Sequence, residues 1–145
     1  MLVRLLYASR AKEPLDAATL DAIFETSMAG NTRHGITGVL CHGNGIFLQA
    51  LEGERATVSR LFLNIGRDAR HKDVVLLDFA EIAEREFSVW SMGRVNVGKL
   101  NPATLLKYSA QGELDPYRMP AVASLSLLKE LAAGASIVQS ASRQA

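Results

Sequence analysis

Along the chain, the hydrophobic positions switch between a period of two and a period near three and a half. Each switch marks an element. Val3, Leu5, Tyr7 and Ser9 alternate with Leu2, Arg4, Leu6 and Ala8, so residues 2–9 read as a strand with two distinct faces. Pro14 and an Asp16 N-cap then open a helix, and Leu20, Ile23, Phe24 and Met28 place one apolar stripe on it. Gly30 is expected to close that helix, with Asn31 just beyond it. Residues 35–42 return to strand. Gly43-Asn44-Gly45 favours positive φ, which predicts a hairpin of Ile36–His42 against Ile46–Leu51, ended by Gly53. Val58, Leu61, Phe62 and Ile65 predict a second amphipathic helix over Glu54–Arg67. Asp73–Ala83 reads as a further strand with Val74-Val75-Leu76-Leu77 as a core run, and Val89–Val97 as another short one.

The resulting order, β-α-β-β-α-β, predicts an α+β ferredoxin-like sandwich with an extra strand. Two helices would cover one face of a mixed sheet. The other face, with Leu2, Leu6, Ile46, Leu48 and Ala50, needs a cover of its own. The C-terminal stretch supplies one. Pro102–Tyr108 reads as a short helix, and Ala121–Ala133, with Val122, Leu125, Leu128 and Leu131, as a longer one after Pro120. The expected organisation is a domain over residues 1–98, a C-terminal helical cap over 99–135 and a flexible tail over 136–145.

Composition removes several function classes. The 145 residues are 48% hydrophobic and 21% charged, which is ordinary for one globular domain. Sixteen basic and 15 acidic residues give a formal net charge of +1 with no basic block, which argues against a nucleic-acid partner. The N-terminus meets a charge at Arg4 and lacks the apolar run of about 7–15 residues of a signal peptide. No stretch approaches the ~18 apolar residues of a membrane span. With one cysteine, Cys41, the chain forms no internal disulfide, and a reducing cytoplasm is the expected location. Cys41 and His42 are adjacent in a strand and face opposite ways, so they make no metal pair, and no zinc spacing occurs elsewhere. Gly43-x-Gly45 joins two strands and so is no phosphate loop.

Gln49 is the chemically informative residue. It shares a strand face with Phe47 and Leu51 in an otherwise apolar run. A buried amide without partners costs about 1–3 kcal/mol, so that face calls for a polar object beside it.

Five residue groups together resemble the BLUF domain, the blue-light sensor that uses flavin. They are Leu5-Leu6-Tyr7-Ala8-Ser9, Asn31-x-x-x-Gly35-Ile36-Thr37-Gly38, Phe47-Leu48-Gln49-Ala50-Leu51-Glu52-Gly53, Asp68-Ala69-Arg70-His71 and Trp90-Ser91-Met92. Their order and spacing fit over about residues 2–97. The extension, with Leu106-Lys107-Tyr108-Ser109, is similar to that of the short, stand-alone cyanobacterial type, in which two cap helices follow the domain.

The resemblance implies a non-covalently bound flavin between the two helices, FAD in the first instance, with FMN or riboflavin as alternatives. Ile23 and Ile65 would sandwich the ring, and Asn31 would bond its uracil-like edge. Asp68, Arg70 and His71 would lie near that edge or its entrance. Tyr7 and Gln49 would stand beside the reactive part of the ring, and Trp90 and Met92 would compete for the place next to Gln49. Gly30 stands where many relatives carry a second Asn, and Asn64 where the cyanobacterial form often carries Arg. His34 and His42 match no family position with a role.

The residue types suit that use. A phenol can give up an electron and a proton, and an amide can accept at oxygen while donating at nitrogen. The expected function is thus blue-light reception without catalysis, signalled to a separate partner protein, with a homo-oligomer expected. Two other readings stay open: a small flavin-dependent reductase and a light-insensitive ferredoxin-like binding module. An acylphosphatase would need an anion-binding loop with a well-placed Arg, which the chain lacks.

Overall fold

The structure is a computed structural model, and it describes residues 1–14, 16–88 and 93–134. A five-stranded mixed sheet has the order β4-β1-β3-β2-β5. Its strands are β1 (Leu2–Ala11), β2 (Thr37–Gly43), β3 (Ile46–Glu54), β4 (His71–Glu81) and β5 (Gly93–Asn96). The β1–β3, β1–β4 and β2–β3 pairs are antiparallel, and β5 runs parallel to β2. Helices α1 (Ala17–His34) and α2 (Arg55–Arg67) occupy the crossovers, and α3 (Pro102–Leu106) and α4 (Ala121–Ala133) follow the sheet. The ferredoxin-like α+β order is present, with β5 as the extra strand.

The two sheet faces carry two cores. On the α1/α2 side Val3, Leu5, Tyr7, Phe47, Leu51 and Val58 are packed together. On the other side Leu6, Ile46, Leu48 and Ala50 meet Leu105, Leu127, Leu128 and Leu131 of the C-terminal helices. The bare face anticipated from alternation is therefore covered by α3 and α4.

Several details differ from expectation: Asn31 lies inside α1, β3 runs past Gly53 to Glu54, and α3 ends at Leu106. Gly30 does not close α1, which continues to His34. Gly35, at φ 70°, takes the left-handed cap position and donates its N–H to the Asn31 carbonyl. A helix interior tolerates glycine at about 1 kcal/mol, whereas a left-handed cap selects for it. Residues 74–77 are not a core run. β4 lies at the edge of the sheet, so Val75 and Leu76 are 42% and 49% exposed, and only Val74 and Leu77 pack inward. The strand begins at His71, with Asp73 at φ 51° and a register shift against β1 that alters its alternation. Val122 is 70% exposed, because α4 buries the stripe of Ser124, Leu127, Leu128 and Leu131 instead.

The hairpin turn places Asn44 and Gly45 at φ 52° and 75°, as the Gly-Asn-Gly signal predicts. The Asp16 cap accepts the Thr19 N–H at 2.7 Å. Of the expected strand 89–97, Gly93–Asn96 is β5, and Val89–Met92 lie outside the described residues, as does the tail beyond Gly134.

Candidate functional site

α1 buries only Phe24 and Asn31 of its 18 residues, and Leu20, Ile23 and Met28 of its apolar stripe stay half-buried. Ile65 on α2 is half-buried as well. Between the two helices and the sheet lies a slot of about 180 Å³. Ile23 and Phe24 line it from α1, and Leu61, Asn64 and Ile65 from α2. Tyr7, Leu40, Phe47 and Gln49 form its floor, and Asp68, Arg70 and His71 also border it.

Strand pairing makes the floor. Tyr7 on β1 lies directly opposite Gln49 on β3, although 42 positions separate them in sequence. Both are buried, at 2% and 4% exposure, and the Tyr7 hydroxyl donates to Gln49 Oε1. Leu40 flanks Gln49 from β2. Tyr7 also packs against Phe62, with ring centroids 5.6 Å apart. Burial, reinforced by the nearby Asp68 charge, pushes the Tyr7 phenol well above its ordinary value, so the resting group holds its proton.

The remaining lining is polar. Arg70 Nε donates to both Asp68 oxygens at 3.0 and 3.1 Å, and Nη2 to Oδ2 at 2.6 Å. The Arg70 hydrogen bond is the main reason that the Asp68 carboxyl is held down at about 2. His71 starts β4. Its Nδ1 is 2.9 Å from the Ser9 hydroxyl, and its ring meets Phe47 edge-on at 5.3 Å. Burial lowers the His71 pKa and outweighs the opposing pull of Asp68.

Of the residues nominated from sequence, Tyr7, Ile23, Gln49, Ile65, Asp68, Arg70 and His71 come together at this slot. Asn31 lines a different cavity, of about 430 Å³, with Ile36, Thr37 and Arg85. Trp90 and Met92 lie outside the described residues. Sequence reasoning did not nominate Phe24, Thr26, Ser27, Leu40, Phe47 or Leu61 as site residues. For Leu40 and Phe47 the missing signal is cross-strand register. For Ser27 it lies in the helical spacing from Ile23, which puts position i+4 on the same face.

A larger cavity of about 400 Å³, bordered by Asp21, His42, Arg94 and Lys99, involves none of the nominated residues. Among the described residues no three His, Cys, Asp or Glu side chains are grouped to hold a metal ion, and no helix is long and apolar enough to cross a membrane.

The slot suits a planar aromatic cofactor. Its walls are aliphatic, its floor presents a phenol and an amide, and its border carries a charged pair and an imidazole.

A profile of the BLUF family, described as sensors of blue-light using FAD, matches residues 2–93. The chain belongs to the BLUF family. Its curated relatives include the photoactivated adenylate cyclase subunit beta of Euglena gracilis, 40% identical over 92 residues, which are 63% of this chain and 11% of that protein. The alpha subunit of the same organism is 41% identical over 86 residues, 59% of this chain and 8% of that one. This BLUF chain thus spans about a tenth of the length of these curated relatives.

Two solved structures extend the likeness over the C-terminal helices. BlsA in its photo-activated state superposes with a TM-score of 0.82 at 31% identity, covering 97% of this chain and 99% of that one. BlrB, a BLUF protein in its dark state, gives 0.75 at 30% identity, covering 91% and 96%. Membership makes this a chain of a family that senses blue light with flavin. The reductase and the light-insensitive binding module are not favoured.

Proposed function

We propose that this BLUF chain is a blue-light photoreceptor whose switch is the Tyr7–Gln49 pair. The observation that carries the reading is the hydrogen bond from the buried Tyr7 hydroxyl to Gln49 Oε1 on the floor of an aliphatic-walled slot. The family description supports FAD as the flavin, with FMN and riboflavin as alternatives. A bound flavin supplies the absorption of blue light and, when excited, a strong oxidant beside Tyr7.

Ile23 and Ile65 would hold the flavin from either side, with Asp68, Arg70 and His71 at the slot's border. Asn31, Trp90 and Met92 remain flavin or switch residues on family likeness alone. Tyr7 is the residue placed to give up an electron and a proton, since an oxidised phenol is far more acidic than its resting pKa of about 10. Gln49 receives that proton at the oxygen to which the hydroxyl already points. When proton and electron return to Tyr7, no net reaction has occurred. What persists is a rotated or tautomerised Gln49 amide with donor and acceptor ends exchanged.

In this reading residues 1–98 sense light and residues 99–135 read the far face of the sheet. The output is a changed interaction with a separate protein in the cytoplasm. The chain catalyses no turnover, and it self-associates. The deciding test is an absorption spectrum of the purified chain before and after blue illumination. A yellow protein whose flavin band shifts to the red and recovers in darkness supports the reading. A bound flavin indifferent to light refutes it, and steady NADH oxidation would favour a reductase.

A further inference from the structure

Glu52 lies on β3 three positions beyond Gln49 and is fully buried, at 0% exposure. An odd separation along a strand puts the two side chains on opposite faces. Gln49 is on the slot side, and Glu52 points to the face covered by α3 and α4. A buried carboxylate is costly unless it is amply hydrogen-bonded. Here Oε1 accepts the Phe87 N–H at 2.8 Å, and Oε2 accepts the Glu86 N–H at 3.1 Å. Arg4 Nη1, from the residue opposite on β1, is 3.5 Å from Oε2.

The grip is two-handed. Arg85 Nη1 donates to the Glu52 carbonyl at 3.3 Å and to Thr37 Oγ1 at 2.9 Å. The loop between β4 and β5 is therefore tied to β3 through both the side chain and the backbone of Glu52. Phe87, whose N–H makes the shortest of these bonds, is itself 0% exposed. It belongs to the core that holds Leu127, Leu128 and Leu131 of α4. Two residues later in sequence the chain enters the stretch 89–92, which contains Trp90 and Met92.

We propose that Glu52 is a positioning residue of the photocycle: its carboxylate pins the Glu86–Phe87 turn to the strand that carries Gln49, so that a change at Gln49 reaches the opposite face and the chain entering residue 89. The role rests on the photoreceptor reading above. β3 is the rigid link, since the two side chains are separated by about 10 Å of extended backbone. Phe87 is the contact that delivers the displacement to the core beneath α4.

The test uses the full chain loaded with flavin, as wild type and as Glu52→Gln. The variant keeps the volume of Glu52 and one acceptor, and it loses the charge and one acceptor. In darkness the Glu86 and Phe87 amides should exchange with deuterium about tenfold faster in the variant, as expected for loss of a charge-assisted hydrogen bond. The red shift should keep its size while its dark-recovery rate changes by about threefold or more. A merely structural carboxylate would alter amide exchange and leave recovery as in wild type, and that result would overturn the proposal. So would unchanged exchange at both amides. Should the variant not hold flavin, wild type alone decides. Blue light must change exchange at Glu86 and Phe87, and indifference there with a normal red shift overturns the role. A wild-type flavin blind to light would instead sink the photoreceptor reading, and this role with it.

Discussion

Replacing Tyr7 by Phe removes one buried oxygen and leaves the ring, so the contact with Phe62 at 5.6 Å survives. What is lost is the donor to Gln49 Oε1, an acceptor in a side chain only 4% exposed. Losing one partner of a buried hydrogen bond costs about 1–3 kcal/mol, because the remaining group keeps its desolvation penalty. For a chain of this size each kcal/mol is a drop in Tm of roughly 3–4 °C. Gln49→Leu removes the other partner at similar volume and should cost a comparable amount by leaving the phenol without this acceptor. The double variant leaves neither half of the pair stranded. It should be less destabilised than the sum of the singles by about 1 kcal/mol. Urea unfolding of the flavin-free chains, followed by circular dichroism, measures all four corners of the cycle. The loaded chains should keep their flavin and lose the light-induced red shift in either single variant. Strict additivity in the cycle would show that the pair does not interact energetically. A normal red shift in Tyr7→Phe and Gln49→Leu would refute the relay.

Acid should weaken the fold before any carboxylate of the site titrates. Burial lowers the pKa of both His71 and His42, so the unfolded chain binds protons that the folded chain resists. Their contribution is complete above the unfolded value of about 6.5 and is lost as pH falls toward the folded values. Asp68, held at about 2 by Arg70, titrates below that window. The urea midpoint of wild type should therefore fall between about pH 7 and about pH 5, and less so in His42→Gln/His71→Gln; a midpoint that is flat or rises over this range contradicts the assignment. Leu128→Ala should cost about 2–5 kcal/mol, since Leu128 is fully buried between α4 and the sheet. Val122→Ala on the same helix, 70% exposed, should stay within about 0.5 kcal/mol by the same unfolding assay. Equal costs for the two would mean that α4 presents a different face to the sheet.

Local chemistry was legible in the chain. The Asp16 cap, the spacing of Val58, Leu61, Phe62 and Ile65, and the Gly43-Asn44-Gly45 turn each act within a few residues. Periodicity and turn preference therefore located both helices and the hairpin, and alternation along β1 and β3 separated the two sheet faces. The motif set around Tyr7, Gln49 and Asp68-Ala69-Arg70-His71 pointed to the family, because order and spacing are properties of sequence. Strand order is not. Val74–Leu77 read as core because four apolar residues carry no sign of whether one neighbour or two will pair with them. Only the placement of β4 outside β1 exposed Val75 and Leu76. Likewise, Gly30 read as the helix stop, and the structure puts that stop at Gly35, where the backbone turns left-handed into β2. The Tyr7–Gln49 bond and the clamp on Glu52 join residues about 40 and 35 positions apart. Such contacts exist only once antiparallel pairing has set the register, since a slip of one residue would turn every side chain of β3 to the opposite face.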